Sequence, residues 1–163
     1  MTTTTQARTF IVRPIPAEVL DAVRTDGVDV SGHPVEHRTS TGGEPLRCCL
    51  RNAEPAEAII LFGYEPPLPA SLYREIGPVF AHAEPCPGPE DDGYPSQWSD
   101  RTQVFRAYDA QGRIHDASRV HEGNTPETPE ATLAAMLADP DVVQIHSRNV
   151  VYGCYMLRIT RPT

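Results

Sequence analysis

The chain has 163 residues, 39% of them hydrophobic, and carries a formal net charge of −8 at pH 7, with four cysteines; that is enough apolar material for one buried core without covalent or metal staples. All 14 basic residues are arginine, so Schiff-base chemistry, a pyridoxal-phosphate anchor and a P-loop lysine are excluded. Arginines scattered through an acidic chain make no phosphate-tracking stripe, which argues against a nucleic-acid partner.

Residues 1–8 read as a flexible, threonine-rich N-terminus, and residues 9–163 as a single α+β domain. The start lacks the apolar core of a signal peptide, and no later apolar run approaches the ~20 residues of a membrane span. A cytoplasmic protein with no membrane partner is expected, with reduced thiols at Cys48, Cys49, Cys86 and Cys154.

"TFIVRPIP" predicts a strand closed by Pro14 and Pro16. "PAEVLDAVR" predicts a short helix with Val19, Leu20 and Val23 on one face, ending by Gly27. From Val28 to Glu44 no period is visible, so a loop carrying solvated His33 and His37 is expected. "PLRCCL" reads as a strand that points Cys48 and Cys49 to opposite faces, and "EAIILFGY" as one buried on both faces. "GPVFAHAE" follows as a strand with Val79, Ala81 and Ala83 on one face and Phe80, His82 and Glu84 on the other. "PCPGPEDDGYPSQWSD" is an irregular surface loop whose Tyr94 and Trp98 pack down. "TQVFRAYDAQGRIHDASRV" predicts a hairpin about Asp109–Gly112. "TPEATLAAMLAD" predicts a helix capped by Thr128 and opened by Pro129, with Leu133, Met136 and Leu137 facing inward and Asp139–Pro140 as the stop. The end, "VVQIHSRNVVYGCYMLRIT", gives two strands around a Val150–Gly153 connection. Two short helices and about seven strands, irregularly interleaved, predict an α+β fold with a mainly antiparallel, strongly curved or barrel-like sheet.

Chemistry concentrates in two stretches. "FAHAEPCPG" holds the H-x-E and P-C elements of zinc nucleobase deaminases, but the second cysteine of that pattern is missing and Pro89 stands in its place, so that reading fails. A tetrahedral metal site from His82, Cys86, His146 and Cys154 is an alternative. It requires a sharp turn at Pro85, because residues four apart on a continuous strand are separated by roughly 13 Å. Cys86, beside a loop, is the thiol best placed as a nucleophile, and Cys154 in its apolar run reads as packing.

In "IHSRNVVYGCY", Gln144, His146 and Arg148 share a strand face. That face is either solvated or a carboxylate site, with Arg148 as clamp, the imidazole as proton donor and Asn149 and Tyr152 as further donors. Arg47 and Arg106 also fall in strand-like segments and, if the faces converge, complete a positive pocket.

"PLRCCLRNAEPAEAIILFGYEP", "YREIGPVFAHAEPC", "VFRAYDAQGRI" and "HSRNVVYGCYMLRI" together resemble the bacterial domain-of-unknown-function family 1203, found in actinobacteria and proteobacteria. The likeness runs from about Thr9 to Arg161 and implies a stand-alone cytoplasmic domain. It supplies no activity, so no catalytic role transfers. Its motif blocks include His82, Cys86, Arg106, His146, Arg148, Asn149 and Cys154.

The expectation from sequence is a small enzyme acting on an anionic small molecule, with biosynthetic tailoring in secondary metabolism as the associated setting. Its catalytic residues are His82, Cys86 and His146. Arg47, Arg106, Arg148, Asn149 and Tyr152 bind substrate, and the scheme invokes no cofactor and assigns no residue to a metal. The alternatives are a non-catalytic metabolite-binding or interaction module, and a Cys/His metal-binding protein.

Overall fold

The computed structural model describes residues 9–163, so the expectation for residues 1–8 lies outside the described part. Two five-stranded sheets and two helices make an α+β architecture. Strands β1 (Ile11–Arg13), β7 (Gln103–Tyr108), β8 (Arg119–His121), β9 (Gln144–Arg148) and β10 (Tyr155–Thr160) form one sheet in the order β1-β10-β9-β7-β8, antiparallel throughout. Strands β2 (Glu36–Thr39), β3 (Pro45–Leu46), β4 (Arg51–Asn52), β5 (Ala58–Tyr64) and β6 (Gly77–His82) form the other in the order β2-β5-β6-β3-β4, with β3 parallel to β6 through the Leu46–Phe80 pairing. The mainly antiparallel expectation holds, but a single barrel-like sheet of about seven strands does not: ten strands divide into two sheets, and neither closes. Among the described residues no helix is long and apolar enough to cross a membrane.

Each sheet has its own core. Helix α2 (Pro129–Leu137) lays Leu133, Met136 and Leu137 on a sheet face built from Val12, Phe105, Ala107, Ile145, Leu157 and Ile159, where Tyr94 and Trp98 also pack. The helix begins where Thr128 accepts a hydrogen bond from the Ala131 N–H at 3.1 Å and Pro129 fills the first turn. Thr128→Ala should therefore lower unfolding free energy by about 1 kcal/mol, read from the urea midpoint; an unchanged midpoint would remove the cap from the account. Helix α1 (Ala17–Asp26) buries Leu20 and Val23 beside Ile15, Ile59, Ile60, Phe62, Val79 and Ala81 in the second core. It ends at left-handed Gly27, whose N–H bonds Val23 O. Tyr155 of the first sheet reaches into this second core and ties the two together.

Four local expectations are corrected. Glu36–Thr39 is a strand, not loop, held to β5 by backbone pairing although all four side chains are exposed. The strand expected over "PLRCCL" stops at Leu46, and residues 47–50 form a turn closed by Leu50 N–H to Leu46 O at 2.9 Å, with Leu50 left-handed at φ 56°. A run with no β-branched residue has little to hold it extended. After the Asp109–Gly112 turn the chain makes only one bridge, Tyr108 to Ile114, and the strand that pairs with β7 comes later, at β8. Cys154 lies half-buried in the connection before β10 rather than inside an apolar strand.

Candidate functional site

The turn after β3 and the end of β6 meet because those strands pair in parallel. The turn points both Cys48 and Cys49 at His82, which corrects the expectation that they face opposite ways. Cys48 Sγ lies 3.5 Å and Cys49 Sγ 3.8 Å from His82 Nδ1, and the two sulfurs are 3.9 Å apart. Past His82 the chain bends at Ala83–Glu84 and returns Cys86 to the group, so that one donor atom from each of Cys48, Cys49, His82 and Cys86 lies within 4.8 Å of all the others. Cys48 is buried and the other three are half-buried.

The surroundings fix this group. His82 Nε2 meets Glu57 Oε1 at 3.1 Å, and Arg51 clamps Glu57 with two nitrogens at 3.0 and 2.7 Å. The Arg51 hydrogen bond, then the Glu54 N–H and His82, hold the Glu57 carboxyl well below the usual carboxylate range. Nε2 also lies 3.2 Å from Arg51 Nη2; in the tautomer that donates from Nε2 to the Glu57 carboxylate, Nδ1 turns its lone pair toward the sulfurs. The His82 N–H donates to Cys48 Sγ at 3.3 Å, and Arg24 of α1 donates twice to His82 O, at 3.2 and 3.0 Å. The Cys48 thiol is pulled below its ordinary range by its hydrogen bond with Cys49, and the same bond pushes Cys49 up. Thiolate character, the form in which sulfur ligates metals, is thus favoured at Cys48, while burial pushes the Cys86 thiol up. A cavity of about 420 Å³ lined by Cys49, Arg51, Gly88, Tyr94 and Gln97 borders it on one side.

His146 sits elsewhere. It is fully buried between Tyr108 and Tyr155, with ring centroids 4.6 and 5.3 Å away, and its Nε2 donates to Gln144 Oε1 at 3.0 Å. Burial, reinforced by Arg148, Arg158 and Arg106, pushes its pKa down to about 3. The polar face of β9 is therefore neither solvated nor open: every β9 residue is buried. Arg106 and Arg148 do converge on a carboxylate, as their chemistry predicts, but it is the chain's own Glu75, at 3.4 and 3.3 Å.

The metal set of His82 and Cys86 with His146 and Cys154 is replaced on geometric grounds, since His146 lies in the first sheet and Cys154 lines a different cavity. That cavity also takes Arg47, Asn149 and Tyr152, so Arg47 does not join Arg106 and Arg148 on Glu75. Gly153, left-handed at φ 71°, makes the tight connection expected of it, with Asn149 and Cys154 closing the hairpin above it.

Sequence reasoning found His82 and Cys86 and missed Cys48, Cys49, Glu57 and Arg51 as their partners. The adjacent cysteines in a segment without β-branched residues, followed by an arginine and a glutamate six residues later, were the available signal. A search of the curated proteins and a search of the solved structures find no match. The sequence model of the family described as "Protein of unknown function (DUF1203)" matches residues 43–161, a span that holds the whole cysteine–histidine group with Glu57 and Arg51, and the chain belongs to that family.

Proposed function

We propose that this protein binds one zinc ion through Cys48, Cys49, His82 and Cys86, with Glu57 orienting the imidazole. The observation that carries the reading is the spacing of the donors. Bond lengths of about 2.3 Å to sulfur and 2.0–2.1 Å to nitrogen place tetrahedral ligand atoms about 3.8 Å apart for two sulfurs and about 3.6 Å apart for sulfur and nitrogen. Among Cys48, Cys49 and His82 the spacings are 3.9 Å between the two sulfurs and 3.5 and 3.8 Å from sulfur to Nδ1, and Cys86 Sγ lies within 4.8 Å of each. Support also comes from the carboxylate behind His82, which is how ligating histidines are held in orientation. Three sulfurs and one nitrogen suit zinc rather than the oxygen-seeking calcium or magnesium.

Four protein donors fill a tetrahedron and leave no position for substrate, so the ion's role is to pin the proline-rich segment after His82 to the turn at residues 47–50. The imidazole and thiols that the sequence assigns to acid-base or nucleophilic chemistry are, in this reading, ligands. The reducing cytoplasm, where we place the protein, keeps such thiols available.

Native mass spectrometry of the full chain, with metal analysis, should find one zinc per molecule. Glu57→Gln should weaken zinc binding by about 10- to 100-fold without abolishing it. A chain that stays metal-free with stoichiometric zinc, or an affinity indifferent to Glu57→Gln, would overturn the assignment.

A further inference from the structure

A second cavity, independent of the metal centre, lies between a face of the second sheet, with Leu61 of β5 and Phe80 of β6 side by side, and the β9–β10 hairpin. Its volume is about 910 Å³. Leu61, Pro78 and Phe80 supply apolar wall, and exposed Val151 and Tyr152 stand at the rim. Arg47 and Arg101 enter the same space.

Arg47 is only 2% exposed, and its donors go to backbone carbonyls: Nε to Tyr155 O at 2.7 Å and Nη1 to Pro45 O. Among the described residues no carboxylate pairs with Arg47 or Arg101. Arg101 donates to Asn149 Oδ1 at 3.2 Å. Glu44, the carboxylate in the lining, is committed to Ser40 Oγ at 2.6 Å and to the N–H groups of Gly42 and Thr41. Arg38 at the margin is paired with Glu36. Two guanidiniums therefore share one space with no carboxylate in contact with either. Burial first, with Arg101 adding to it, brings Arg47 down to about 10. Taking an ion out of water is costly unless an opposite charge meets it, and among the described residues no carboxylate reaches Arg47.

We propose that this cavity binds an organic anion, its carboxylate, sulfonate or phosphate group between Arg47 and Arg101 and an apolar, aryl-sized body against Leu61, Pro78 and Phe80. Asn149 is placed to donate its amide N–H to the same group, since its oxygen is taken up by Arg101 and Gln103. Arg47 has Nη2 left for a charge-assisted hydrogen bond once Nε and Nη1 hold backbone carbonyls, Arg101 supplies the second guanidinium, and the apolar wall selects an organic acid over free phosphate. Of the residues given an anion-binding role from sequence, Arg47 and Asn149 thus keep it, Arg106 and Arg148 are instead paired with Glu75, and Arg101 joins the set.

Two fluorescent probes with one ring system test this on the full chain: 8-anilinonaphthalene-1-sulfonate, and its uncharged counterpart N-phenyl-1-naphthylamine. The sulfonate should bind one per chain, and Arg101→Gln should raise its Kd by about tenfold, the scale of one charge-assisted contact. The uncharged probe should hold its Kd within about twofold, and added salt should weaken the sulfonate alone. Arg101→Gln is the decisive variant because that side chain is half-buried and carries no packing load comparable to Arg47; Arg119→Gln, an exposed arginine of β8, is the control. An unchanged sulfonate Kd in Arg101→Gln, an equal loss in Arg119→Gln, or parallel losses for both probes would overturn the proposal. Zinc content plays no part in these readouts, so this inference and the metal assignment fail separately.

Discussion

Zinc should raise the melting temperature of the chain by roughly 10 °C, and Cys48→Ser should abolish that rise. An ion that binds only the folded form at about 1,000 times its dissociation constant stabilises by about 4 kcal/mol, and each kcal/mol moves Tm by roughly 2–4 °C in a domain of this size. The effect is an increment rather than the whole of folding. The core around α2 closes without the cluster, and in the core around α1 Cys48 is one residue among a dozen apolar neighbours, whereas small zinc modules have little else to fold around. Calcium and magnesium should shift nothing, because sulfur is a poor ligand for hard cations. Cys154→Ser should keep the full shift, since that thiol lies in the other cavity. Differential scanning fluorimetry reads all of these. A zinc shift that survives Cys48→Ser, or is lost in Cys154→Ser, would relocate the site.

Acid should destabilise the protein well above the pH at which its carboxylates protonate, and His146→Phe should remove that component. His146 is fully buried, and its pKa falls from 6.5 to about 3 in the folded chain. The groups facing it are Tyr108 and Arg106 from β7, Tyr155 and Arg158 from β10, and Gln144 and Arg148 on its own strand. Of these the arginines add like charge, and none is a carboxylate. Above about pH 6.5 the imidazole is neutral in both states and makes no difference to the balance. Below that the unfolded chain takes up a proton that the folded chain refuses, so stability falls by up to about 1.4 kcal/mol per pH unit until the folded pKa is reached.

Summed to about pH 3, the loss is roughly 4–5 kcal/mol. Glu57, Glu44 and Asp29, all lowered in the folded chain, add losses of the same sign once pH drops through the carboxylate range. Subtracting the His146→Phe curve isolates the histidine. The variant leaves Gln144 Oε1 without its donor, so it should start about 1–2 kcal/mol less stable at pH 7, with a shallower slope between pH 6 and 4. Parallel urea-midpoint curves for the two proteins would contradict this account of the buried imidazole.

The elements legible in sequence are those whose ends are set by local chemistry. Thr128–Pro129 and Pro16–Ala17 mark helix starts, Gly27 stops α1, and the apolar run from Ile59 is a strand wherever it pairs. What was not legible depends on partners far along the chain. Strand β2 has no buried face and exists only because β5 offers it backbone groups. The cluster at Cys48 needs the parallel Leu46–Phe80 pairing, a long-range crossover that no local spacing encodes. At Arg106 and Arg148 the affinity for a carboxylate was readable from residue type, but the identity of that carboxylate, Glu75 from a distant loop, was not.

The turn at residues 47–50 sets Arg47 and Cys48 side by side in the chain while aiming one at the guanidinium-lined cavity and the other at the sulfur cluster. Lengthening or shortening this segment by a single residue would rotate both out of place together. Insertion and deletion are therefore closed to it on two counts, and an engineer wishing to alter one pocket must work by substitution, leaving the spacing from Leu46 to Arg51 untouched.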